Sequence, residues 1–109
     1  MIDSKEMGDA LDAIEEVSPM YAKAKAERVH LDDYRKVQLA ILYEKAVGKT
    51  VAEKESWCRA HAQYAEVLTA HANSVEEETA LYWKLKLAET QIEVWRTIQA
   101  SRRQEARIL

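Results

Sequence analysis

Apolar residues recur along the chain at the three- and four-residue steps of amphipathic helices. Met7, Leu11 and Ile14 form a first such stripe, predicting a short acidic helix over about Asp3–Val17. Ser18-Pro19 then reads as a helix start, because Ser caps well and Pro is tolerated at the first helical position. A longer helix is predicted from Pro19 to about Val47, with Tyr21, Ala24, Val29, Leu31, Tyr34, Val37, Ile41 and Leu42 as its apolar positions. Gly48 stands where helices end. Thr50 with Glu53 has the spacing of a capping box, so a short helix to about Arg59 follows. After a bend over Ala60–Gln63, one helix is predicted from Tyr64 to the C-terminus. Ser74 with Glu77 repeats the capping pattern, but a continuous helix is the preferred reading. Its stripe Leu81, Leu85, Ala88, Ile92, Trp95 alternates steps of four and three, as coiled coils do.

The expected architecture is all-α. An antiparallel hairpin of two long helices fills 19–109, short helices pack on it, and 1–17 is an acidic N-terminal helix within the same single domain. Composition agrees: two glycines, one proline and no phenylalanine in 109 residues leave few breaks. No apolar run is long enough for a membrane helix. The acidic N-terminus lacks the apolar core of a signal peptide. A single cysteine, Cys58, forms no internal disulfide and suits a reducing compartment. A cytoplasmic location is therefore the expectation. The core must use Ala, Tyr and Trp, and an Ala-rich core of this size is thin. Self-association into a homo-oligomer is expected for that reason.

Net charge is −3, carried in alternating blocks of −5 (1–20), +3 (21–50), −4 (51–78) and +3 (79–109). Such blocks can pair within a bundle or between subunits. In the expected hairpin the early part of one long helix meets the late part of the other. That would bring Lys23, Lys25, Arg28, Arg35 and Lys36 to the same end as Arg96, Arg102, Arg103 and Arg107. Arg28, Arg35, Lys36 and the four C-terminal arginines are thus candidates for nucleic-acid phosphates. The competing reading has the C-terminal arginines complementing the helix dipole and pairing with the acidic first helix. An overall negative charge favours the second reading.

No motif fixes a reaction. Glu27 and His30 make one E-x-x-H, whereas a di-iron bundle site uses two, so a solvated surface pair is favoured. Cys58 and His61 make one C-x-x-H with no second cysteine, so no zinc site is expected and Cys58 reads as a small hydrophobe. Glu76-Glu77-Glu78 reads as a solvated face, because paired catalytic carboxylates need a pocket that separates their pKa values. Phosphate-cradling glycine loops are absent. No cofactor, no metal and no catalytic residue are expected. Of the three tryptophans, Trp95 lies on the apolar stripe. Trp83 lies off it, and with its neighbour Tyr82 is the candidate partner-binding surface.

YAKAKAERVHLDDYRK (Tyr21–Lys36), the Glu53–Tyr64 region and IEVWRTIQASRR (Ile92–Arg103) resemble small all-helical proteins of tailed bacteriophages, some encoded near recombination and replication genes. The resemblance covers most of the chain after Pro19 and supplies no catalytic residue. It implies a non-enzymatic accessory protein in the host cytoplasm that assists DNA recombination or replication. Such a protein would act through a protein partner in phage or host DNA metabolism, with DNA contact as a further element. An inhibitor of a host nuclease or defence complex, carried by the acidic segments, and a virion component are the alternatives.

Overall fold

The computed structural model describes residues 3–108, and the expectations for Met1, Ile2 and Leu109 lie outside it. Three helices account for the architecture: α1 (Ser4–Lys45), α2 (Val51–Ala60) and α3 (Ala62–Ile108). No strand occurs among the described residues. The fold is all-α, with α1 and α3 pairing as an antiparallel hairpin and α2 as the short additional helix.

The expected break at Ser18-Pro19 does not occur, and α1 runs through Pro19 without interruption. Pro19 cannot donate to the carbonyl of Glu15, so α1 forgoes one rung of its ladder there. Packing overrides that loss. Val17 and Ala24 are buried on either side of Pro19, and Tyr21 between them is half-buried. The start of α1 lies instead at Asp3, whose Oδ1 accepts the Glu6 N–H at 2.8 Å, while Glu6 Oε2 accepts the Asp3 N–H at 3.3 Å. This is a reciprocal capping box in which Asp takes the place of Ser or Thr.

The turn to α2 follows the expected chemistry. Thr50 Oγ1 accepts the Glu53 N–H at 3.1 Å, and Glu53 Oε2 reaches back to the Lys49 N–H at 2.6 Å. Gly48 is required by the same turn. A Cβ there would stand 2.8 Å from Glu53 Cβ and 3.2 Å from the Lys54 nitrogen. His61 makes the expected bend and serves both neighbouring helices. Its N–H donates to the Cys58 carbonyl at 3.2 Å, closing α2. Its Nδ1 accepts the Gln63 N–H at 3.1 Å, opening α3. An accepting Nδ1 places the neutral ring's proton on Nε2. Ser74 caps nothing. Its hydroxyl donates to the His71 carbonyl at 2.7 Å, so α3 passes through Asn73-Ser74 unbroken.

The chain packs as two units. One comprises 1–22 with 79–109, the other 23–78. In the first, Ala10, Ala88 and Ile92 form the buried cluster, with Ala13 and Ile14 against it. Leu81 is buried on the same α3 stripe, and Leu85 and Trp95 are half-buried there, as their spacing predicts. On α1 the expected stripe is displaced. Leu11 is 47% exposed, and Ala10 and Val17 carry the burial with Met7 and Ile14 half-buried. Alanine at both Ala10 and Ala88 lets the two backbones approach closely. In the second unit Leu42, Cys58 and Tyr64 are buried, and Leu39, Ala46 and Trp57 pack on them. Cys58 thus acts as a small hydrophobe among apolar neighbours. Val29, Tyr34, Val37 and Ile41 of the expected apolar set face outward.

Two substitutions check this account. Pro19→Ala restores a helix hydrogen bond and is expected to raise unfolding stability by about 1–3 kcal/mol in thermal circular dichroism. Gly48→Ala is expected to lower it by about 1–2 kcal/mol, because backbone as well as side chain must shift to admit the methyl.

Candidate interaction site

The seam between α1 and α3 changes character in the 23–78 unit. The α1 positions Ala24, Arg28, Leu31, Arg35, Gln38 and Leu42 continue in steps of four and three, and three of them are polar. The facing α3 positions are Tyr64, Val67, His71, Ser74 and Glu78, again at such steps. Arg28 Nε donates to Glu78 Oε2 at 2.6 Å and Nη2 to Oε1 at 3.2 Å, a two-pronged pair with the Glu78 side chain only 14% exposed. The hydrogen bond from the Arg28 guanidinium lowers the Glu78 pKa from its ordinary 4.5; burial opposes it, and the charges of Arg28 and then Lys25 lower it further. Asp32 Oδ1 accepts from Arg35 Nη2 at 3.3 Å, and His71 Nε2 stands 3.6 Å from that oxygen. Gln38 Nε2 donates to Gln63 Oε1 at 3.4 Å.

This seam redefines several candidate residues. Arg28 is engaged in a half-buried ion pair across the seam and Arg35 in a partly exposed pair with Asp32 of its own helix, whereas Lys36 is exposed. Glu76 and Glu77 face solvent as expected, but Glu78 is a seam residue. The two expected basic clusters fall in different units: the arginine-rich end of α3 shares its unit with the acidic segment, and Lys23–Lys36 belong to the other. Arg96 pairs with Glu93 of its own helix at 3.0 Å, both side chains well exposed. Arg102, Arg103 and Arg107 are exposed, as is every described residue of α3 after Gln99. The contact of Ala10 with Ala88 and Ile92 sets a register in which α1 begins opposite about Arg96. The last three turns of α3 therefore run beyond the first residues of α1.

Tyr82 and Trp83 are brought together. Their rings meet edge-on at 5.3 Å between centroids, and Tyr82 leans on Tyr21 at 6.2 Å. The Lys86 ammonium lies 5.5 Å from the centre of the Tyr82 ring. Lys86 also bonds Glu89 at 3.3 Å, which raises its pKa from the ordinary value. Trp83 is held by Tyr82 yet remains 63% exposed, the largest exposed side chain in the described residues. Leu87 at 61% and Val94 at 44% continue the same face.

Comparison with protein-family models, curated proteins and solved structures returns no match.

Sequence reasoning missed both the polar seam and the continuation of the Trp83 face. The seam had a readable signal, since Arg28 lies in the stepped series from Ala24 to Leu42. The face had one too. Trp83, Leu87, Thr90, Val94 and Thr97 repeat the four-three spacing two residues out of phase with the Leu81 series. His30, weighed as a metal ligand, lies 6.0 Å from Tyr34 in a stacked pair of rings. Among the described residues no three His, Cys, Asp or Glu side chains converge as a metal site would require, and no helix is long and apolar enough to cross a membrane.

The Arg28–Glu78 pair makes a pH-dependent contribution to stability. A carboxyl whose folded pKa lies below its unfolded value stabilises fully above the unfolded value, and the contribution fades as pH falls through the folded one. Unfolding titrations of wild type and Glu78→Gln should therefore differ most near neutrality and converge as the pH drops below 4.5 toward the lowered value. A constant difference across that range would mean that the ion pair contributes nothing.

Proposed function

We propose that this protein is a non-enzymatic helical interaction module whose binding face is the Trp83 side of α3. The observation that carries the reading is Trp83 itself, well exposed while supported edge-on by Tyr82. A large rigid aromatic held at the surface loses little side-chain entropy on binding, and such residues anchor protein interfaces. Leu87 and Val94 extend the apolar face beyond one residue. The resemblance to small helical phage proteins supports a setting in phage DNA recombination or replication. Arg102, Arg103 and Arg107 form the part of the molecule suited to phosphates, since they lie on the overrunning end of α3.

Two measurements on the full chain test this reading. Capture from infected-cell lysate with wild type and Trp83→Asp should differ in at least one specifically bound protein. Identical capture by both rules out the Trp83 face. Binding to single- and double-stranded DNA at about 50 mM salt should weaken when all three terminal arginines become alanine, and the log–log salt slope should fall by about 2–3. The thermal midpoint should stay unchanged, because those arginines touch no core residue. No DNA binding by the wild type at that salt removes the nucleic-acid element and leaves the protein-binding element standing.

A further inference from the structure

α3 carries two stepped series on different faces. Leu81, Leu85, Ala88, Ile92 and Trp95 are turned toward α1. Trp83, Leu87, Thr90, Val94 and Thr97 lie two residues out of phase, about 200° around the helix at 100° per residue. The second series is thus a coiled-coil seam that no described residue covers: Trp83, Leu87 and Val94 are 63%, 61% and 44% exposed. From Trp83 to Thr97 it spans about 21 Å. A seam of this spacing is fitted by another helix, since knobs at three-four spacing need matching holes.

The residues flanking the seam specify which helix. Lys86 and Glu93 each immediately precede a seam residue, Leu87 and Val94, and so stand along the same edge. They have opposite signs. When an identical helix runs antiparallel, Leu87 meets the second copy's Thr90 and Val94 meets the second copy's Trp83. Lys86 then falls beside the second copy's Glu93, and the two-fold axis generates the same pair again. The opposite edge holds Lys84, Gln91 and Ile98, where Lys84 meets a neutral glutamine. A parallel arrangement sets Lys86 against Gln91 and Glu93 against Ile98, with no charge pairing. In the free chain Lys86 and Glu93 hold exposed partners on their own helix, Glu89 at 3.3 Å and Arg96 at 3.0 Å. Such exposed pairs are weak, so both side chains can turn to a new partner at little cost.

The geometry points to a second copy of this chain as the occupant of the Trp83 face, joined antiparallel through α3 with paired Lys86–Glu93 contacts across the two-fold axis. The inference rests on the reading of that face as a binding surface.

Charge reversal tests the orientation as well as the contact. The full chain at about 100 μM should sediment as a dimer. K86E and E93K should each weaken the dimer about tenfold or more, because each places like charges together twice. An equimolar mixture of K86E and E93K should recover dimer as a heterodimer, in which both contacts are attractive again, and the double variant should recover it alone. Both positions are exposed, so helicity by circular dichroism should match wild type throughout. A monomeric wild type, single reversals that dimerise like wild type, or a mixture that stays monomeric each overturn the proposal. If the wild type is monomeric while Trp83→Asp still loses a different protein from lysate, self-pairing fails and the binding-face reading survives.

Discussion

The Arg28–Glu78 pair is the constraint on which the 23–78 unit depends. A seam built only of Leu, Ala and Tyr tolerates sliding by whole heptads, because one apolar layer resembles the next. A half-buried guanidinium and carboxylate do not tolerate it. Slipping α3 by one heptad sets His71 or Leu85 against Arg28 and leaves two desolvated charges without each other. The pair therefore contributes register as much as stability, in the way buried polar groups specify coiled-coil alignment. With register fixed, the Gln38–Gln63 contact falls into place between the same helices, and the Leu42, Cys58 and Tyr64 cluster forms where α2 joins them.

Much of this architecture was legible in the residues. Thr50 and Glu53 mark the start of α2, His61 lies in the expected bend, and the Leu81–Trp95 stripe is the α3 side of its seam. Each of those signals is local, a cap or a periodicity readable within a dozen residues. The misreading at Ser18-Pro19 came from weighing a local signal against nothing. A proline that starts many helices also sits within this one, where Val17 and Ala24 on either side of it are buried. Without that break, the two basic clusters fall in different units. Arg28 and Arg35 looked like surface charge for a related reason. Charge type says nothing about depth until the helix face is known, and the face is set by packing across the seam.

The candidate site was half legible. Trp83 and Tyr82 stood out because they leave the apolar stripe, and the structure stacks them edge-on at the surface. Leu87 and Val94 stand among Lys and Glu neighbours, out of phase with the Leu81 series, and their exposure sets them apart from core positions. A helix with two apolar series answers two packing demands. The polar residues between the series must then separate the faces while remaining solvated. Lys86, Glu89, Glu93 and Arg96 do so along one side of α3, alternating sign in pairs three residues apart.

The three tryptophans also make the two units separately observable. Trp57 packs on the Leu42 cluster with its ring 5.1 Å from that of His61, so its fluorescence belongs to the 23–78 unit. Trp83 and Trp95 both belong to the other unit, one at the surface and one half-buried in the seam. α1 and α3 each contribute residues to both units. Variants retaining a single indole would convert this arrangement into local thermometers, one reporting on each unit.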